Sequence, residues 1–172
     1  MQAGPRLEEN IMWQELAKVL AQLIKEYQKL QALNEEKRGV LVLVKLKDLE
    51  RIVQQEEQVI KEINSVEESR KELLNRIVNS GVKLSQASHM QDVWGQCPDM
   101  SQRDLLRRLH TALAKLVAEV QEASANNEIL IRGALDAINF KRNQLGGTSV
   151  EPAYGQGGQE LVSHEKNFDF EA

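Results

Sequence analysis

WQELAKVLAQLIKEYQKL, residues 13 to 30, decides the fold. Its larger apolar side chains fall at Trp13, Leu16, Leu20, Leu23, Tyr27 and Leu30, alternately three and four residues apart. That spacing holds one stripe on one side of a helix and matches a coiled-coil seam, in which 3.5 residues per repeat keep the stripe facing a partner. Carried outward, the pattern predicts a helix over about residues 7–38, on the order of 45 Å long. Alone, such a helix leaves its stripe in water, so a second helix must cover it.

The next segment supplies a candidate. Gly39 interrupts the spacing, and Val40-Leu41-Val42-Leu43-Val44 is an apolar, β-branched run that would also suit a strand. From Leu46 the threes and fours resume through Leu49, Val53, Glu56, Ile60, Ile63, Glu67, Arg70, Leu74 and Ile77. This predicts a second helix over about residues 40–80, and an isolated strand would have no partner. A reversal near Gly39 makes an antiparallel hairpin that buries both seams; without it, one very long helix needs a second chain. Glu56, Glu67 and Arg70 sit on the seam, where an unpaired charge is costly. Glu67 and Arg70, three apart on one face, are expected to pair and set the register.

Asn79 to Gly81 offers the residues that adopt a left-handed conformation at a helix end. Ser85 is placed to cap a short helix over about residues 86–94, and Pro98 blocks its continuation. Ser101, three residues before Asp104, looks like a variant capping box that opens a third helix over about residues 101–145. One stripe of that helix is Leu109, Leu113, Leu116, Val120, Ala123, Asn127, Leu130, Ala134 and Ala137; a second beside it is Leu106, Val117, Ile131, Leu135 and Ile138. Two stripes make a face too wide for one neighbour, and from Ile129 to Phe140 the helix is apolar on most sides. Residues 146–172 hold five of the ten glycines together with Tyr154, Phe168 and Phe170, and read as a flexible tail carrying aromatic anchors. The expected organisation is all-α: a helical body over 1–145, built as a long antiparallel hairpin or coiled coil with a third long C-terminal helix, and a flexible Gly-rich tail over 146–172.

Composition narrows the function classes. Charged residues make up 28% with a net charge of -4, which lacks the basic stripe that nucleic acid demands. No stretch approaches the length of a membrane span, and the N-terminal residues lack the pattern of a secretory signal. The single cysteine, Cys97, fits a reducing compartment, so a cytoplasmic protein without membrane insertion is expected. His89, Asp92 and Cys97 do not complete a tetrahedral metal set and read as a solvated polar loop. Gly155-Gln156-Gly157-Gly158 lacks the lysine, strand and helix of a phosphate loop. No nucleophile framework is present, and long helices offer few concave pockets. Neither an enzyme nor a cofactor is expected.

Several short elements carry a resemblance. Lys47-Asp48-Leu49-Glu50-Arg51-Ile52-Val53, then Glu56-Glu57 and Glu67-Glu68-Ser69-Arg70, lie in the second helix; Asn126-Asn127-Glu128-Ile129-Leu130 lies in the third; Ala153-Tyr154-Gly155-Gln156-Gly157-Gly158 and Phe168-Asp169 lie in the tail. Together they resemble the FlgN family, the export chaperones for hook-filament junction proteins of bacterial flagella. Ala153 stands where the family usually has Thr, and Gly157 is an addition. The resemblance implies a monomeric, non-enzymatic chaperone for hook-associated proteins of the FlgK and FlgL type, whose tail meets an export gate protein of the FlhA type. It places Asn127, Leu130, Leu135 and Ile138 on the client-binding helix, with Leu116, Val120 and Ile131 extending that face, and Tyr154 at the gate. The rival reading is a homodimeric coiled-coil scaffold or tether in which the same seams pair between chains.

Overall fold

A computed structural model describes residues 5–43, 45–80 and 90–146. The opening stripe lies in α1, Pro5–Val42. Trp13, Leu16, Leu20 and Leu23 are almost entirely removed from solvent, Tyr27 is buried, and the seam runs on to a buried Asn34. Three further helices follow among the described residues: α2, Leu46–Asn79; α3, Met90–Gly95; and α4, Met100–Gly146. No strand occurs among those residues.

Cross-helix contacts fix the directions. Glu15 meets Arg76, Glu36 meets Arg51 and Lys37 meets Glu56, so α2 returns antiparallel along α1. Gln31 meets Glu119 and Asn34 meets Asn127, so α4 runs parallel to α1. α1 packs against both long neighbours, and α3 packs on α4. The core therefore gathers around α1, with Ile63, Leu73 and Ile77 from α2 on one side and Leu106, Leu113, Leu116 and Val120 from α4 on the other.

The helix does not stop at Gly39. Val40 to Val42 complete α1, and the reversal comes just after, where the Leu43 amide donates to the Gly39 carbonyl (3.2 Å) and the Lys45 amide to that of Val40 (3.1 Å). A glycine inside a helix costs only about 1 kcal/mol, and the α1 seam continues past it through half-buried Lys37 and Leu41. Packing outweighs local preference.

Along α2 the buried seam is Ile52, Glu56, Ile63, Arg70, Leu73 and Ile77, with Val59 and Val66 packed against the core. Val53, Ile60, Glu67 and Leu74, expected on the seam, flank it at partial burial. Two adjacent rows compete here, and the one that wins keeps Glu67 off the centre line, where its charge is less costly. The expected pair forms: Arg70 Nε lies 2.9 Å from a Glu67 carboxylate oxygen.

The end of α2 and the start of α4 are closed by Ser80 and Asp99. Asn79 is still helical, and Ser80 closes α2 at φ -77° with its hydroxyl donating to the Ile77 carbonyl (2.7 Å), so no left-handed residue is used through Ser80. Gly81 and Ser85 lie outside the described residues. α4 is capped by Asp99 and not by Ser101. An Asp99 carboxylate oxygen accepts from the amides of Ser101 (2.7 Å) and Gln102 (3.2 Å), which holds that carboxyl below its usual range. Ser101 lies two residues past the capping position, inside the helix, and Asp104 pairs with Arg107 instead.

Gly133 interrupts α4 without a steric reason, since a Cβ built there meets nothing within 4 Å. Gly133→Ala is expected to raise unfolding stability by about 0.5–1 kcal/mol, through unfolded-state entropy. Urea denaturation followed by circular dichroism measures it, and a destabilised variant would reveal a close contact at this position.

Candidate functional site

α4 changes character at Asn127. Upstream, its inward stripe is buried against α1: Leu106, Leu113, Leu116 and Val120. Downstream, most of the large apolar side chains are open: Leu130 37% exposed, Leu135 36%, Ile138 48%, Ile129 68% and Phe140 64%. Five such residues on one helical stretch exceed the scattered apolar exposure of an ordinary surface and mark it for contact with something else.

The geometry of the boundary explains the change. The buried Asn127 amide donates to the Asn34 backbone carbonyl (2.8 Å) and to its side-chain oxygen (3.2 Å), while the Asn34 amide donates to the Leu30 carbonyl (3.2 Å). A polar pair in an apolar seam fixes register, because slipping by one turn would strand the buried Asn127 amide. With Asn34 level with Asn127 and the helices parallel, Val42 lies level with about Leu135. α4 then runs about 11 residues, roughly 16 Å, past the hairpin tip. Val42 and Leu43, exposed at 65% and 63%, stand at that tip.

The residues singled out by sequence therefore divide. Leu116, Val120 and Asn127 face α1 and are buried; Ile131 is half-buried; Leu130, Leu135 and Ile138 are exposed. Ile131, Leu135 and Ile138 follow one another by four and three, so they share a face, and Leu130 adjoins it. Arg132 pairs with Glu128 one turn back, which leaves that salt link beside the apolar face and not across it. Tyr154 lies outside the described residues.

The buried charges belong to the bundle. Lys37 reaches across from α1 to Glu56 on α2 at 2.6 Å, both nearly enclosed. Glu67 keeps its carboxyl above the usual range despite Arg70, because burial outweighs the attraction. Tyr27, beside the same pair, is pushed up to about 12, first by burial and then by Glu67. Among the described residues no cluster of His, Cys, Asp and Glu is placed to hold a metal ion.

Cys97 corrects the solvated-loop reading for its own position. It is fully buried in the core with Met90 and Val93, its carbonyl accepts from Arg103 (2.7 and 3.1 Å), and burial raises its thiol. A raised thiol is a poor nucleophile, so Cys97 serves packing. Its apolar context, two residues from Gly95 and next to Pro98, gave no periodic signal.

His110 lies on α4, which packs against α3. Its ring lies 5.0 Å from that of Trp94, its Nδ1 has no partner among the described residues, and burial, followed by nearby Arg70, lowers its pKa from 6.5. The folded state thus favours neutral imidazole, and this stability is present above the unfolded pKa and lost as pH falls through the lower folded one. Glu67 acts oppositely: its raised pKa gives stability below the unfolded value near 4.5 that is lost as pH rises through the folded value. His110→Gln is expected to flatten the decline in melting temperature between about pH 7 and pH 5, the range in which histidine titrates. Parallel profiles for parent and variant would assign that decline elsewhere.

Comparison with known proteins adds one match. The family model described as FlgN protein matches residues 12–161. No curated protein and no solved structure matches the chain. The matched range takes in the α1 seam, the open stretch of α4 and Tyr154, and stops short of Phe168.

Proposed function

Because the chain belongs to the FlgN family, whose members are flagellar export chaperones, we propose that the open end of α4 binds an amphipathic helix from the C-terminal region of a hook-filament junction protein. The observation that carries this reading is the run of exposed apolar side chains beyond Asn127, on a helix whose upstream stripe is buried in the core. An apolar helix seated on Leu130, Ile131, Leu135 and Ile138 is the helix-in-groove mode of recognition. Four such side chains contribute roughly 6–12 kcal/mol gross. Ordering both partners consumes much of it, which suits a carrier that must release its load.

In this reading Leu116, Val120 and Asn127 position the face, and do not touch the client while α4 stays docked. Covering the client's C-terminal helix keeps hook-associated proteins of the FlgK and FlgL type unassembled. Tyr154, in the tail after α4, then meets an export gate protein of the FlhA type. Residues 1–145 act as the chaperone body and 146–172 as the delivery segment, in a monomer that works in the cytoplasm without catalysis. No helix among the described residues is long and apolar enough to cross a membrane.

Size-exclusion chromatography with light scattering tests the proposal. The chain alone should elute as a monomer of 19.5 kDa and form a 1:1 complex with a hook-associated protein, lost when the client's C-terminal helix is deleted. A stable dimer indifferent to the client would replace the chaperone reading with a coiled-coil scaffold.

A further inference from the structure

We infer that, without a client, the acidic-aromatic end of this same chain seats on the hairpin tip and the adjoining end of α4. The proposal rests on the reading of that face as a binding surface and adds its regulation: the tail and the client compete for one place.

The surface has two parts. Val42 and Leu43 at the tip and Leu135 and Ile138 on α4 expose apolar side chains at the same end of the bundle. Around them stand Lys45 and Lys47 on one side and Lys141 and Arg142 on the other, all exposed and none in an ion pair with a described residue. Asp48 and Asp136 are the acids within Leu43–Asp48 and Leu135–Gly146, so these two stretches together are net basic. Such a surface, apolar with a basic margin, fits a ligand that alternates apolar groups with acids.

The end of the chain has that pattern. Residues 160–172 read ELVSHEKNFDFEA, with Glu160, Glu165, Asp169 and Glu171 against one lysine, Lys166, and with acids set between and after Phe168 and Phe170. Residues 147–172 carry five acids and that single lysine, which accounts for the whole net charge of -4. The bundle is thus neutral and the complementary charge is confined to its continuation.

Connection favours contact within one molecule. α4 leaves the hairpin tip behind by roughly 16 Å, while the chain between Gly146 and Phe168 can span about 70 Å. A tether of this length holds its end at an effective concentration near the millimolar range, so an intrinsic affinity of about 1 mM already gives substantial occupancy. Occupancy that weak yields readily to a client helix, and the tail is thereby freed when a load arrives.

Hydrogen exchange of the full chain tests this, with Phe168→Ser and Phe170→Ser combined as the variant. In the parent, amides of residues 135–146 should exchange several-fold more slowly than in the variant. The difference should persist on dilution and shrink when salt is raised from about 50 to about 500 mM, as expected for charge-assisted docking. Equal exchange in parent and variant overturns the proposal, as does protection that fades on dilution, which would place a second copy on the face. Client affinity is measured separately and should rise several-fold in the variant. Tail-dependent protection in a chain that binds no hook-associated protein would keep the contact and remove the chaperone reading.

Discussion

With Leu130→Asp and Ile138→Asp combined, affinity for the C-terminal helix of a hook-associated protein is expected to fall by at least about 100-fold, while the bundle stays folded. Both side chains lie on the open part of α4, at 37% and 48% exposure. Losing two apolar contacts at roughly 1.5–3 kcal/mol each removes about 3–6 kcal/mol, and each 1.4 kcal/mol is tenfold. The carboxylates add a desolvation penalty in any complex that still covers them. Because neither residue belongs to the core, the melting temperature should move by only a few degrees. Isothermal titration with the client and thermal melts of the free variant measure the two effects. Affinity within threefold of the parent would take this face out of the function; a collapse of the melt would mean that the substitutions had damaged the fold.

That separation of binding from folding was only partly legible in the sequence. The two stripes of α4 were visible as periodicity, and the expectation that something beyond the hairpin covers the far end rested on them. Periodicity does not say where along a helix one neighbour ends. Leu116 and Leu130 occupy the same stripe, yet one is 8% exposed and the other 37%, and burial along α4 thins out toward the level of Leu135, where α1 and its turn come to an end. What sets that level is the Asn34–Asn127 pair, a contact between residues 93 apart in sequence. The same limit applies in α2, where the row expected from the sequence runs through Val53 and Leu74 and the three-dimensional packing selects Ile52 and Leu73 instead. α1 was the easiest to read, since its seam has one apolar row and no competitor of equal strength.

The largest loss of stability is expected from Leu20→Ala, about 2–5 kcal/mol. Leu20 is fully buried near the middle of α1, and α1 packs against both α2 and α4. Removing its side chain opens a cavity on the helix that both neighbours need, and the surrounding Leu16 and Leu23 are themselves fixed by seams on either side, so the site has little freedom to collapse. The effect should therefore reach both neighbours. In the variant, hydrogen exchange in α2 and α4 should accelerate together, and urea unfolding should remain a single transition at lower midpoint. Leu145→Ala, at 89% exposure on the free end of α4, should by comparison change stability within about 0.5 kcal/mol. A Leu20→Ala variant in which α4 loosens while α2 keeps its protection would mean that the hairpin folds on its own and α4 docks onto it as a separate unit. The binding face would then be able to move as a whole, and Leu116 and Val120 would become available to a client when α4 lifts away from α1.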